Sequence, residues 1–122
     1  MAESSEFIDA GVAPSGDGCV ECDEHGGWWV HLRRCALCGH VGCCDESLLK
    51  HATQHFESTG HRVIRTYEPG EEWFFDYLTG VFSFGPRLAP PESHPADQSV
   101  PGPADRVPAN WEDLLAEDRK RT

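Results

Sequence analysis

Residues 19–61 read CVECDEHGGWWVHLRRCALCGHVGCCDESLLKHATQHFESTGH and contain all six cysteines and six of the seven histidines of the chain. Two Cys-x2-Cys pairs come first, Cys43 and Cys44 follow them, and three histidines complete the stretch. A Cys-x2-Cys pair lets one turn of backbone present two thiolates to one ion at about 2.3 Å, as tetrahedral zinc requires. His51 and His55 are four residues apart and share a face if they lie on a helix. This combination of spacings predicts a zinc-binding domain.

The composition limits the class of protein further. A chain of 122 residues is expected to form one domain, and its small apolar core needs support from metal or disulfides. The net charge of −11, with ten Lys and Arg residues in all, argues against nucleic acid as a partner. The first residues lack the features of a signal peptide, and no apolar run reaches the length of a membrane span. We therefore expect a cytoplasmic monomer that binds neither nucleic acid nor membranes.

An even number of cysteines also permits a disulfide framework. Disulfides do not require interleaved histidines, however, and they are rare in the cytoplasm, where cysteine clusters usually bind metal. Zinc is therefore the expected cofactor.

Alternating apolar residues and turn residues predict an α+β fold, a small zinc-stapled domain with a twisted antiparallel sheet and one main helix. The helix carries His51 and His55, is capped by Asp45 or Ser47, and ends at Gly60. Strands are expected at residues 28–33, 62–67, 72–78 and 81–84.

Adjacent tryptophans mark the first predicted strand. Trp28 and Trp29 point to opposite faces of a strand, so both cannot enter one core. Trp29 is therefore a candidate binding residue on an exposed or pocket-facing surface, and the alternative is that it packs under a neighbouring loop.

The composition divides the chain into a flexible acidic lead, the folded domain and a Pro-rich acidic tail, which span residues 1–16, 17–85 and 86–122. The tail is expected to be extended and mostly disordered because it is rich in proline and poor in apolar residues. Near residues 110–119, Asn110 can cap a short helix with Trp111, Leu114 and Leu115 on one side. Such a helix could bind a partner or fold back on the domain.

The motif Cys-x2-Cys … Trp-Val … Cys-x2-Cys-Gly-His-Val-Gly-Cys … His-Ala-x2-His-Phe-x2-Thr-Gly-His resembles the UBP-type zinc finger of ubiquitin-specific proteases and of a ubiquitin-binding histone deacetylase. The resemblance covers roughly residues 17–84 and implies two closed, structural zinc sites with crossed ligand pairs. By position, one ion would be bound by Cys19, Cys22, Cys43 and His51, and the other by Cys35, Cys38, His55 and His61. Cys44 could compete with Cys43 as a ligand, but the alignment favours Cys43.

The resemblance also implies a pocket for a peptide that ends in a free carboxylate. By position, Trp29, Trp73 and Phe75 match aromatic residues of that pocket in ubiquitin-binding members. An Arg that grips the carboxylate in those members is replaced here by Asp45, which would repel it. Another arginine would have to substitute, and the candidates are Arg33, Arg34 and Arg62.

Three functions follow from these observations. The first is a zinc-stapled interaction module that binds a peptide or a protein C-terminal tail. In the second, zinc serves folding alone, and the tail with its Trp111 helix binds the partner. The third is an enzyme that uses Cys44 as a nucleophile with His40, but Asp45 and Glu46 oppose the low thiol pKa that such a nucleophile needs. We therefore expect no enzymatic activity.

Overall fold

The computed structural model describes residues 6–45 and 47–121. Its elements, in chain order, are α1 (Val20–His25), β1 (Leu32–Cys35), β2 (Val41–Cys43), α2 (His51–Thr59), β3 (Val63–Thr66), β4 (Phe74–Asp76), β5 (Phe82–Ser83) and α3 (Trp111–Arg121). The five strands form one antiparallel sheet in the order β2-β1-β3-β4-β5. The predicted α+β class with an antiparallel sheet is thus confirmed. Among the described residues, no helix is long and apolar enough to span a bilayer.

The first strand begins later than predicted. β1 starts at Leu32 instead of Trp28, because the backbone of Trp29 pairs with Gly102 of the tail in an isolated antiparallel bridge. The register then places Arg33 opposite Thr66 and Arg34 opposite Arg65 on β3. Since successive residues of a strand face opposite sides, Arg33 and Arg34 serve different faces of the sheet.

The central helix is shorter than predicted. α2 begins at His51 after Lys50, whose φ of 53° places it in the left-handed region, and neither Asp45 nor Ser47 caps it. Ser47 is buried, and its Oγ accepts a hydrogen bond from the Val30 amide at 2.8 Å. Gly60 ends the helix as predicted, with a φ of 78° and its amide bonded to the carbonyl of Phe56.

The first Cys-x2-Cys pair forms part of a helix instead of a simple turn. Cys19 is the N-cap of α1, and its Sγ accepts from the amide of Cys22. Gly26 ends this helix with a φ of 74°. The short helix therefore presents both thiols on the same side.

The described parts of the lead and of the tail pack on the folded domain. Ala36, Val63, Phe74 and Leu88 form a core cluster, and residues of the lead pack against it, namely Phe7, Ile8 and Ala10. The tail is likewise ordered where disorder was predicted, because Leu88, His94 and Leu115 are buried. α3 lies where a short helix was predicted, and Lys50 holds it through an ion pair with Asp118 at 2.8 Å. The tail thus folds back on the domain.

Candidate metal centres and aromatic pocket

Four predicted ligands meet in a buried cluster, which we call centre one: Cys19, Cys22, Cys43 and His51. α1 supplies the first two, β2 the third and the start of α2 the fourth. His51 Nδ1 lies 3.2, 3.4 and 3.5 Å from the Sγ atoms of Cys19, Cys22 and Cys43. The Sγ atoms of Cys22 and Cys43 are 4.0 Å apart.

The other four predicted ligands form centre two: Cys35, Cys38, His55 and His61. Cys35 Sγ lies 3.6 Å from His61 Nδ1, and Cys38 Sγ lies 3.3 Å from His55 Nε2. α2 therefore contributes one histidine to each centre, four residues apart on one face. The structure assembles the crossed pairing that the resemblance implies.

The donor atoms fit tetrahedral zinc. Zn–S bonds of about 2.3 Å and Zn–N bonds of about 2.0–2.1 Å require S···N separations of about 3.5 Å and S···S separations of about 3.8 Å. The separations in both centres match these values to within a few tenths of an ångström. Three thiolates with one imidazole, and two thiolates with two imidazoles, are also donor sets that structural zinc favours. Each centre thus has four ligands for one zinc ion.

The low pKa values of two ligands, Cys43 and His55, also favour metal binding. Hydrogen bonds from Cys19 and Cys22 lower the pKa of Cys43 to about 2, and a hydrogen bond with Cys19 raises the pKa of Cys22. Zinc would deprotonate the remaining thiols. Burial, and then the neighbouring rings of His40 and His61, lower the pKa of His55 to about 4. His55 is therefore neutral at pH 7, as a metal ligand must be.

A second layer of contacts links the two centres, and the sequence analysis missed it. His40 Nε2 lies 2.8 and 2.9 Å from the carboxylate oxygens of Glu21, which belongs to α1 between the ligands Cys19 and Cys22. The ring of His40 stacks on that of His55, with centroids 4.1 Å apart. The Gly-His that follows the second Cys-x2-Cys pair was the available signal. Such outer contacts orient the ligands of a metal.

A small open pocket lies beside centre one, and we call it the aromatic pocket. Its volume is about 200 Å³, and it is lined by Arg33, Cys44, Asp45, Ile64, Trp73, Phe75, Tyr77 and Phe82. Trp73 and Phe75, two of the predicted peptide-binding residues, thus both line this pocket. The ring of Phe82 meets Trp73 edge-on, with centroids 5.3 Å apart, and lies 4.8 Å from Phe75. Trp73, Phe75 and Phe82 therefore form one continuous wall.

The structure brings one of the three candidate arginines into this pocket. The guanidinium carbon of Arg33 lies 4.7 Å from the centroid of the Trp73 ring. Arg34 is buried on the other face and donates to the carbonyls of Pro91 and Val12. Arg62 forms an ion pair with Asp76 at 2.8 Å. Arg33 is therefore the arginine that lines the pocket.

The predicted position of Trp29 is corrected. Its side chain is 2% exposed, packs in a core cluster with Cys19, Cys22 and Cys43, and does not line the aromatic pocket. The guanidinium carbon of Arg106, from the tail, lies 5.5 Å from its ring. The alternative, packing under a neighbouring segment, applies, and the covering segment is the tail.

Asp45 and Cys44 lie at the pocket without acting as zinc ligands in the clusters. The hydroxyl of Thr53 donates to Asp45 Oδ1, so this carboxylate is partly engaged. Cys44 is 4% exposed, and its Sγ lies 3.9 Å from Ser47 Oγ. His40, the base of the enzymatic alternative, meets Glu21 and His55 instead.

The fold and the two four-ligand clusters define a zinc-binding domain. Residues 19–83 match the sequence model described as "Zn-finger in ubiquitin-hydrolases and other protein", zf-UBP. The chain therefore belongs to the UBP-type zinc finger family.

One solved structure is similar to this chain over most of its length. It is the solution NMR structure of protein RPA1320 from Rhodopseudomonas palustris, with 42% sequence identity and a TM-score of 0.61. The similarity covers 83% of this chain and 97% of the other. It thus extends beyond the segment that matches the family. No curated protein matches the chain.

Proposed function

We propose that this domain binds the C-terminal end of a peptide or protein in the aromatic pocket, while its two zinc ions serve structure. The observation that carries the proposal is Arg33, a cation stacked on Trp73 within an aromatic wall. Related pockets have an arginine at the position of Asp45. Here Arg33 supplies the positive charge that this position lacks.

Arg33 has donors to spare for a carboxylate. Among the contacts of the described residues, its guanidinium donates from Nη1 to the carbonyl of Leu32 at 3.0 Å. Five N–H groups are available in a guanidinium, so a planar grip on a carboxylate remains open to it. The stacking on Trp73 holds the group in place, which reduces the entropy lost on binding.

The size of the pocket supports the end of a chain as the ligand. Its volume of about 200 Å³ is below the range of roughly 300–1,000 Å³ that small-molecule sites usually have. Aromatic walls on Trp73, Phe75 and Phe82 leave a narrow slot, which favours residues with small side chains such as glycine. The pocket thus suits one or two terminal residues and the carboxylate that follows them.

Binding is better supported than catalysis. Each zinc centre has four protein ligands and therefore no open position for a reactive water. The thiol of Cys44 is buried, and His40, the base of the enzymatic alternative, contacts Glu21 and His55. The alternative, in which the tail with its Trp111 helix binds the partner, has less support. Leu115 of this helix, α3, is buried and therefore not available to a partner.

The class of partner, the location and the oligomeric state of the protein are also part of the proposal. The net charge of −11 opposes nucleic acid as a partner. The two clusters of cysteine and histidine support the cytoplasm as the location, because cysteine clusters there usually bind metal. The proposal takes the protein to act as a monomer away from membranes.

The test is a titration of the zinc-loaded protein with a peptide that ends in Gly-Gly, followed by tryptophan fluorescence. A free C-terminus should bind saturably, and the amidated peptide should bind at least tenfold more weakly. Arg33→Gln should weaken binding by roughly 10- to 100-fold, the value of one charge-assisted hydrogen bond or two. Asp45→Asn should strengthen it, because a repulsive charge is removed.

Arg87→Gln is the matched control, because Arg87 is 88% exposed and lies outside the aromatic pocket. It should bind as the unchanged protein does. Equal binding of the free and amidated peptides, or no saturable change at millimolar peptide, would contradict the proposal.

A further inference from the structure

The tail is held to the sheet and then to centre one before it continues into α3. Arg34 Nη1 donates to the carbonyl of Pro91 at 3.0 Å, and Arg65 Nη1 donates to that of Glu92 at 3.1 Å. Two residues further, His94 Nε2 lies 2.9 Å from Glu68 Oε1. The segment that follows, residues 99–107, reaches α1, and we call it the clasp.

The clasp holds Trp29 against centre one. Its Gly102 exchanges two backbone hydrogen bonds with Trp29, at 2.8 and 2.9 Å. Trp29 in turn packs with Cys19, Cys22 and Cys43 in one buried cluster. The fit is tight, because a Cβ added at Gly18 would lie 2.7 Å from the Trp29 ring. The indole therefore belongs to the buried cluster that contains three of the four ligands.

Arg106 of the clasp binds the backbone of a ligand directly. Its Nη1 donates to the carbonyls of Cys22 and Gly27 at 3.1 and 2.9 Å, and its Nη2 donates to Asp23 Oδ1 at 2.7 Å. The guanidinium also lies over the Trp29 ring. One side chain from the tail thus joins α1, the loop after it and Trp29.

The two centres differ in their protection. All four ligands of centre one are buried, with Cys19, Cys22 and Cys43 at 0% and His51 at 7%. In centre two, Cys38 is exposed, and His55 and His61 are partly exposed. A chelator can approach centre two directly, whereas the clasp and Trp29 pack against centre one and limit access to it.

We propose that the clasp is a lock on centre one: zinc leaves this centre after Gly102 and Arg106 release Trp29 and α1, whereas zinc leaves centre two independently of the clasp. Arg106 acts here as a positioning residue, because it touches the carbonyl of a ligand and not the metal. Outer contacts of this kind typically change metal affinity 10- to 100-fold when they are removed. The lock would let the fold of the tail control the lability of one metal and not the other.

The test follows each centre separately in the full chain loaded with cadmium-113. The donor sets differ, three sulfurs with one nitrogen against two of each, so the centres give distinct cadmium NMR signals. Excess EDTA is added, and the decay of both signals is recorded. The signal of centre two should disappear first in the unchanged protein.

Arg106→Gln should accelerate the loss of metal from centre one at least tenfold and leave centre two unchanged. Asp23→Asn, which removes the partner carboxylate on α1, should act in the same direction and serves if the first variant does not fold. Arg87→Gln, another arginine of the tail that pairs with Glu92, should change neither rate. An unchanged rate at centre one would overturn the proposal. Equal acceleration at both centres would also overturn it, because that result indicates general destabilisation.

Discussion

Gly42 lies where β2 passes under the start of α2, and its replacement by alanine tests how the sheet positions the zinc ligands. A Cβ at this position would lie 2.7 Å from the amide nitrogen of Ala52 and 3.0 Å from its Cα. Both are backbone atoms and cannot rotate away. Gly42→Ala therefore forces α2 away from the sheet.

The size of the effect follows from that distance. Ordinary contacts of a Cβ begin near 3.4 Å, so α2 must shift by about 0.7 Å. Zinc sites tolerate displacements of about 0.2 Å in their ligand distances. Because α2 carries His51 for one centre and His55 for the other, both centres should lose affinity. Overpacking of this kind also lowers the free energy of unfolding by about 1–3 kcal/mol.

The assay combines urea denaturation of the zinc-loaded protein with competition against a chelator. Gly16→Ala is the matched control, because a Cβ there would meet no atom within 4 Å. We expect the control to keep its zinc affinity and the midpoint of its urea denaturation. Gly42→Ala should lose both zinc ions at a lower chelator concentration. A Gly42→Ala protein with unchanged zinc affinity would refute the argument that contact between β2 and α2 sets the ligand geometry.

Three further predictions follow. Native mass spectrometry should find two zinc ions per chain, and a chelator should remove them together with the folded structure; a stable fold without metal would contradict this. Burial raises the pKa of both Tyr67 and Tyr77 to about 12. Tyrosinate absorbance should therefore be absent at pH 10. The contribution of these two side chains to stability is constant below pH 10 and should be lost between pH 10 and 12; half-ionisation of the tyrosines at pH 10 would contradict their burial. Leu88→Ala should lower the free energy of unfolding by about 2–4 kcal/mol in a denaturant titration, because Leu88 is 3% exposed, whereas Val100→Ala, at a residue 43% exposed, should change it by less than about 0.5 kcal/mol. Equal effects of the two substitutions would contradict the packing of the tail.

The metal centres could be predicted from the sequence because their signals are local. The spacing of two residues within each cysteine pair lets both thiolates reach one ion, and the spacing of four between His51 and His55 places both histidines on one face of α2, one for each centre. The crossed pairing of ligands needed the resemblance, since spacing alone permits other pairings. The antiparallel sheet was accessible for a similar reason, because alternation and turns mark strands directly.

The tail and Trp29 could not be predicted, because their positions depend on contacts far apart in the sequence. A Pro-rich segment has few apolar groups to bury, and its composition therefore indicates disorder. Here two of its carbonyls receive hydrogen bonds from Arg34 and Arg65 of the sheet, and its own Arg106 donates to the carbonyl of Cys22 in α1. These polar contacts thus add to the burial of Leu88 and Leu115 in ordering the tail, and no apolar pattern in the sequence predicts them.

The register of β1 connects the aromatic pocket with the anchoring of the tail. Residues 33 and 34 are both arginine, and the alternation of a strand sends one to each face. Arg33 stacks on Trp73 in the aromatic pocket, and Arg34 donates to the carbonyl of Pro91 in the tail. A slip of one residue that brought Leu32 to the place of Arg33 would leave the pocket without its cation and would turn Arg33 to the opposite face of the sheet. The position at which β1 begins, fixed by the pairing of Trp29 with Gly102, therefore determines both the charge of the pocket and the anchoring of the tail.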